Sequence, residues 1–130
     1  MVLRVEPMVE SDLDDFIAIS EKAFVVGIAS RFYETEPDAE SRASNVARYQ
    51  KYLKTDPTMR LMKVVDDETG QIIAGAKWNV YATERTEEEL KEATTLEIPP
   101  NGNKRTWTDF VGWLNDSRVR FMGVSPHVSM

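Results

Sequence analysis

The sequence predicts an α+β domain. It has a small, mainly antiparallel sheet of three N-terminal strands, two helices from the front half, and a helical segment inserted behind the third strand. Three observations carry that reading. Leu13, Phe16, Ile17, Ser20 and Phe24 recur at helical spacing. Two β-prone runs, Met59 to Val65 and Gln71 to Tyr81, flank the turn sequence Asp66-Asp67-Glu68-Thr69-Gly70. Trp107, Phe110, Val111 and Leu114 then repeat at i, i+3, i+4 and i+7. The 130 residues are the length of a single domain.

Each element has a local cause. Val2 to Val5 is β-prone and ends at Pro7. Ser11-x-x-Asp14 has the pattern of a capping box, and Asp12, Asp14 and Asp15 suit the positive end of a helix dipole. The first helix should bury Phe16, Ile17 and Phe24 against Ile72, Ala74 or their neighbours. Between Val25 and Glu36 the pattern weakens, with Arg31-Phe32-Tyr33 a candidate helical turn. Asp38 to Lys54 reads as a second helix with Ala43, Val46, Ala47, Tyr49, Gln50 and Leu53 inward, stopped at Asp56-Pro57. Gly70 suits positive φ in the hairpin turn. Alternation along the third strand places Ile72, Ala74, Ala76, Trp78 and Val80 on one face. Ile73, Gly75, Lys77, Asn79 and Tyr81 fall on the other. Thr86 to Ala93 is a short acidic helix, and Thr94 to Arg105 a loop. A second capping box, Thr106 to Asp109, opens a helix reaching about Arg120, with Gly123 beyond its end.

Composition removes several classes of function. The formal net charge of −6 argues against nucleic acid and is compatible with a cationic partner such as an amine, or simply with solubility. With no cysteine and one histidine, disulfides, thiolate chemistry and Cys- or His-rich metal sites are excluded. No apolar run approaches the ~20 residues of a membrane span, and the N-terminus has no signal-peptide pattern. The expectation is a soluble cytoplasmic protein without a membrane or nucleic-acid partner.

The order strand, helix, helix, strand, tight turn, strand resembles the N-terminal part of the GNAT superfamily of N-acetyltransferases. The residues that carry the resemblance are Leu3-Arg4-Val5-Glu6-Pro7-Met8, Glu10-Ser11-Asp12-Leu13 and Ala23-Phe24. The hairpin Lys63-Val64-Val65-Asp66 … Gly70 to Trp78 extends it. The helical insert after Tyr81 is similar to that of fungal members. Met122-Gly123 … Pro126-His127-Val128 resembles the approach to their fourth strand. The resemblance implies acyl transfer from acetyl-CoA to an amine carried by a small molecule or peptide. The family's signature Arg/Gln-x-x-Gly-x-Gly/Ala has no match here, and no Gly-x-Gly occurs anywhere. Clustered backbone N–H groups with nearby glycines are what hold a CoA pyrophosphate. Residues 1–130 therefore read as one domain, the N-terminal portion of an acetyltransferase, whether as a fragment, a short gene model or a truncated product. Tight acetyl-CoA binding and measurable turnover are not expected of this chain.

The resemblance implies an acceptor-amine wall built from Phe32, Tyr33, Trp78 and Tyr81, each of which also reads as ordinary packing. Glu34, Glu36 and His127 are the candidate bases, and no catalytic residue is assigned. Glu84, Glu87, Glu88, Glu89 and Glu92 form an acidic run that reads as a solvated helix face, and Asp66-Asp67-Glu68 reads as a turn. The alternative reading is a small non-enzymatic interaction domain. It would use the helix of Trp107, Phe110 and Trp113, or self-associate through an exposed edge of the third strand.

Overall fold

The computed structural model describes residues 1–24 and 27–129; Val25 and Val26, within the loop expected after the first helix, lie outside the described residues. The chain folds as α+β. Strand β1 (Leu3–Pro7) leads through a 3₁₀ turn (Glu10–Asp12) into α1 (Leu13–Ala23). A 3₁₀ segment (Gly27–Phe32) precedes α2 (Ala39–Thr55), and β2 (Met59–Asp66) and β3 (Ile72–Tyr81) form the hairpin. Helix α3 (Glu87–Ala93) follows, then α4 (Lys104–Thr106), a π-helical turn (Trp107–Val111), α5 (Gly112–Phe121) and β4 (His127–Ser129). The sheet is antiparallel in the order β1-β2-β3-β4, so it holds four strands rather than the three expected.

Local chemistry sets the helix starts. Asp12, not Ser11, stands at the start of α1; it makes no side-chain cap bond to the helix, and its carboxylate instead closes the preceding 3₁₀ turn by accepting the Val9 N–H at 2.8 Å. Asp38 and Ser41 cap α2 reciprocally, at 2.8 and 2.9 Å. Thr86 and Glu89 do the same for α3. The expected box at Thr106 is not used, because Asn103 accepts the Thr106 N–H and the helix begins a turn earlier.

One sheet face is buried beneath α1 and α2. Met8, Leu13, Phe16, Ile17, Met59 and Leu61 form the core there, with Val46, Tyr49, Tyr52 and Leu53 packed against it. Ala43 and Ala47, expected inward, are exposed. Phe16 lies over Gly75, where an added Cβ would sit 2.6 Å from the ring. The face that receives α1 is therefore that of Gly75 and Lys77, not that of Ala74. Phe24, expected in the core, is instead 61% exposed just beyond the end of α1.

The opposite face carries the rows Val5–Val64–Ala74 and Pro7–Met62–Ala76, then Arg60–Trp78. Leu3, Val5, Ala74 and Trp78 are exposed on it. Among the described residues, strand β4 covers β3 along Asn79, Val80 and Tyr81. The Val80 N–H donates to Thr58 O at 2.9 Å. Antiparallel alternation then turns Ala74, Ala76 and Trp78 toward β2, and Gly75 and Lys77 toward the far edge. Among the described residues no strand pairs with β3 along that edge. No described helix is long and apolar enough to cross a membrane.

Candidate functional site

Two distant segments close around a crevice. Residues 32–35 run beside residues 101–103. Tyr33 bridges Gly102 in antiparallel fashion. The Glu34 N–H donates to Asn101 O at 2.9 Å, and the Asn103 N–H to Phe32 O at 2.7 Å. The Trp107 indole N–H donates to the same Phe32 carbonyl at 2.9 Å. Gly102 permits this approach: a Cβ there would lie 2.8 Å from Ile98 Cγ2 and 2.9 Å from Pro99 O. The Pro99-Pro100-Asn101-Gly102 turn thus fastens the π-helical turn onto the 3₁₀ segment.

The result is an aromatic cluster with edge-to-face geometry. Phe32 meets Trp107 at 5.4 Å and Phe110 at 5.3 Å between ring centroids, and Tyr33 meets Trp107 at 6.4 Å. Phe24, Phe32, Tyr33, Trp107, Phe110 and Val111 line an apolar crevice of about 160 Å³. A neighbouring open cleft of about 590 Å³ is lined by Glu34, Asn103, Lys104, Arg105, Thr108 and Asp109. The π-helical turn supplies Trp107, Phe110 and Val111 to the crevice and Thr108 and Asp109 to the cleft. Single π turns recur at functional sites, because the extra residue re-aims side chains without ending the helix. Arg105 and Asp109 pair at 3.7 Å across one helical turn, and Glu34 shares the cleft with them and with Lys104.

The four residues expected to form one wall divide among three places. Phe32 and Tyr33 line the crevice. Trp78 lies on the open sheet face, 38% exposed. Tyr81 projects from the other face of β3, against the His127 ring at 4.8 Å and under the Arg85 guanidinium at 3.9 Å. Residues 78 and 81 are an odd number apart on one strand, which separates them onto opposite faces. Of the candidate bases, Glu34 reaches the cleft and Glu36 is exposed. The His127 ring sits on β4, with Nδ1 2.8 Å from Ser125 O. Trp107 and Phe110, which the alternative reading offers to a partner, both meet Phe32, 75 residues earlier than Trp107, while Phe110 stays 42% exposed.

A second polar grouping lies between α2, β3 and the segment that carries Glu97. The Tyr52 hydroxyl donates to Glu97, and burial followed by that bond pushes its pKa up to about 12. Burial also raises the Tyr49 phenol. The Lys77 Nζ stands 5.7 Å from the Tyr52 ring. No metal-binding group of three or more His, Cys, Asp or Glu occurs among the described residues. No protein-family profile, curated protein or solved structure matches the chain.

Proposed function

We propose that this chain carries the amine-acceptor side of an N-acetyltransferase of the GNAT type. The observation that supports it best is the apolar crevice of about 160 Å³ opening beside a cleft that holds Glu34. A cavity of that size accepts a group of about benzene dimensions. Aromatic walls exclude water around the ligand's apolar part, while the Glu34 carboxylate faces its ammonium and is the candidate base for removing the proton that blocks attack. The element order from β1 to the antiparallel β4 supports the same reading.

Acetyl-CoA is the donor that this reading implies. The described residues do not fit its pyrophosphate. Asp38, Thr86 and Asn103 each already accept one N-terminal N–H of α2, α3 and α4, and acidic residues in the first turns of α2 and α3 repel an anion. This chain by itself is therefore proposed to hold it weakly.

Phenethylamine is the probe for the acceptor reading. Saturable quenching of tryptophan fluorescence, lost in Trp107→Phe and weakened in Glu34→Gln, supports it. Equal binding of phenylacetate, or none of either, overturns it. A second reading, a self-associating interaction domain, is favoured by the unpaired edge of β3 at Gly75 and Lys77.

A further inference from the structure

The crevice and the cleft share their walls. Tyr33 lines the crevice and Glu34 the cleft; on the other side Trp107 lines the crevice and Thr108 the cleft. Neighbouring Cα atoms stand about 3.8 Å apart. A molecule with its ring in the crevice therefore places its next few atoms in the cleft. An ammonium at Glu34 alone fills little of the cleft's roughly 590 Å³.

The remaining cleft wall offers donors. The Asn103 N–H donates to Phe32 O at 2.7 Å, and the Asn103 side-chain oxygen accepts the Thr106 N–H at 3.0 Å. The second bond orients the amide and leaves its Nδ2 hydrogens without a partner among the described residues. Lys104, next in the chain, forms no ion pair among the described residues. Two acids, Glu34 and Asp109, and two bases, Lys104 and Arg105, line the cleft, so its charges balance. A wall that carries both signs in balance complements a zwitterion better than a simple cation.

We infer, resting on the acceptor reading, that the site takes an aromatic α-amino acid. Its ring enters the crevice, its ammonium faces Glu34, and its carboxylate accepts from Asn103 Nδ2–H and the Lys104 ammonium. The three groups radiate from the ligand's α-carbon, so a site that holds all three distinguishes the enantiomers.

The test is tryptophan-fluorescence titration of the intact chain with L-phenylalanine, D-phenylalanine, L-phenylalaninamide and phenethylamine, at about pH 6, where an α-amino group is protonated. L-phenylalanine should bind about tenfold more tightly than the amide or phenethylamine, and more tightly than its enantiomer. Asn103→Asp keeps the cap, since a carboxylate accepts the Thr106 N–H as an amide oxygen does, but it replaces the donor with an acceptor. In that variant the preference for L-phenylalanine over phenethylamine should vanish while phenethylamine still binds. Lys104→Gln should weaken L-phenylalanine about two- to fivefold, and Lys91→Gln on α3 should leave it unchanged. Phenylalaninamide binding as tightly as L-phenylalanine overturns the inference in favour of a peptide N-terminus. Equal binding of the enantiomers, or a preference that survives Asn103→Asp, also overturns it. In each of these cases saturable phenethylamine binding leaves the acceptor reading standing, whereas binding of none of the four ligands removes both. Should Asn103→Asp not fold, Lys104→Gln and the ligand comparison on the parent decide.

Discussion

Gly75→Ala tests how α1 is seated. The new methyl would stand 2.6 and 2.8 Å from two atoms of the Phe16 ring and 2.8 Å from Met8 Cε. Met8 can move its flexible end at little cost. Phe16 cannot move as freely, because it is 6% exposed and its ring meets Tyr49 edge-to-face at 5.4 Å. Overpacking of this kind costs about 1–3 kcal/mol. Replacing a strand glycine by alanine returns about 0.5–1 kcal/mol through the unfolded chain. The net expectation is a loss centred on about 1 kcal/mol and reaching about 2.5 kcal/mol. At roughly 3–5 °C per kcal/mol for a domain of this size, the thermal midpoint should fall by about 3–5 °C at the central value. Phe16→Leu in the alanine background should cost less than Phe16→Leu in the parent, a positive coupling readable by a double-mutant cycle in urea. An alanine variant as stable as the parent, with additive second substitutions, would refute the seating of Phe16 on Gly75.

Four further outcomes are expected. Burial opposes ionisation of Asp12, but the hydrogen bond from Lys63, the Val9 N–H and the Lys63 charge together hold its pKa below the usual value. Stability from this pair should be complete above about pH 4 and lost as pH falls through the depressed value. Lys63→Met should flatten that acid limb in urea titrations and cost about 1 kcal/mol at neutral pH, after allowance for screening. For Tyr52, held up to about 12, the neutral phenol is the folded form. Its contribution should be complete below about pH 10 and lost as pH rises through that value, and Glu97→Gln should shift the phenolate absorbance titration downward. Sedimentation over a range of concentrations should show self-association that Lys77→Pro weakens, since the Lys77 N–H faces the unpaired edge; a monomer throughout would remove the interaction reading. Calorimetric titration with acetyl-CoA should give binding weaker than low micromolar, and a tighter constant would show that the cofactor has a site on this chain.

Most of the fold was legible because its causes are local. The apolar spacing of Leu13, Phe16 and Ile17, the Gly70 turn and the alternation of β3 each act over a few residues, and the helices and hairpin appear where those patterns lie. Caps were legible only in part: Ser11 and Thr106 have the right pattern, but α1 follows directly on a 3₁₀ turn with no side-chain cap, and Asn103 rather than Thr106 caps the later helix. Alternation sorted β3 into two faces without saying which one α1 covers. Tertiary packing chose the face of Gly75, because only a residue without a Cβ admits the Phe16 ring. The candidate site was legible only in Phe32, Tyr33 and Glu34. The sequence held the residues of the crevice but not their meeting. Joining Phe32 to Trp107 requires the Pro99–Gly102 turn to close a loop of some 70 residues, and chain-local pattern carries no information about contacts at that separation.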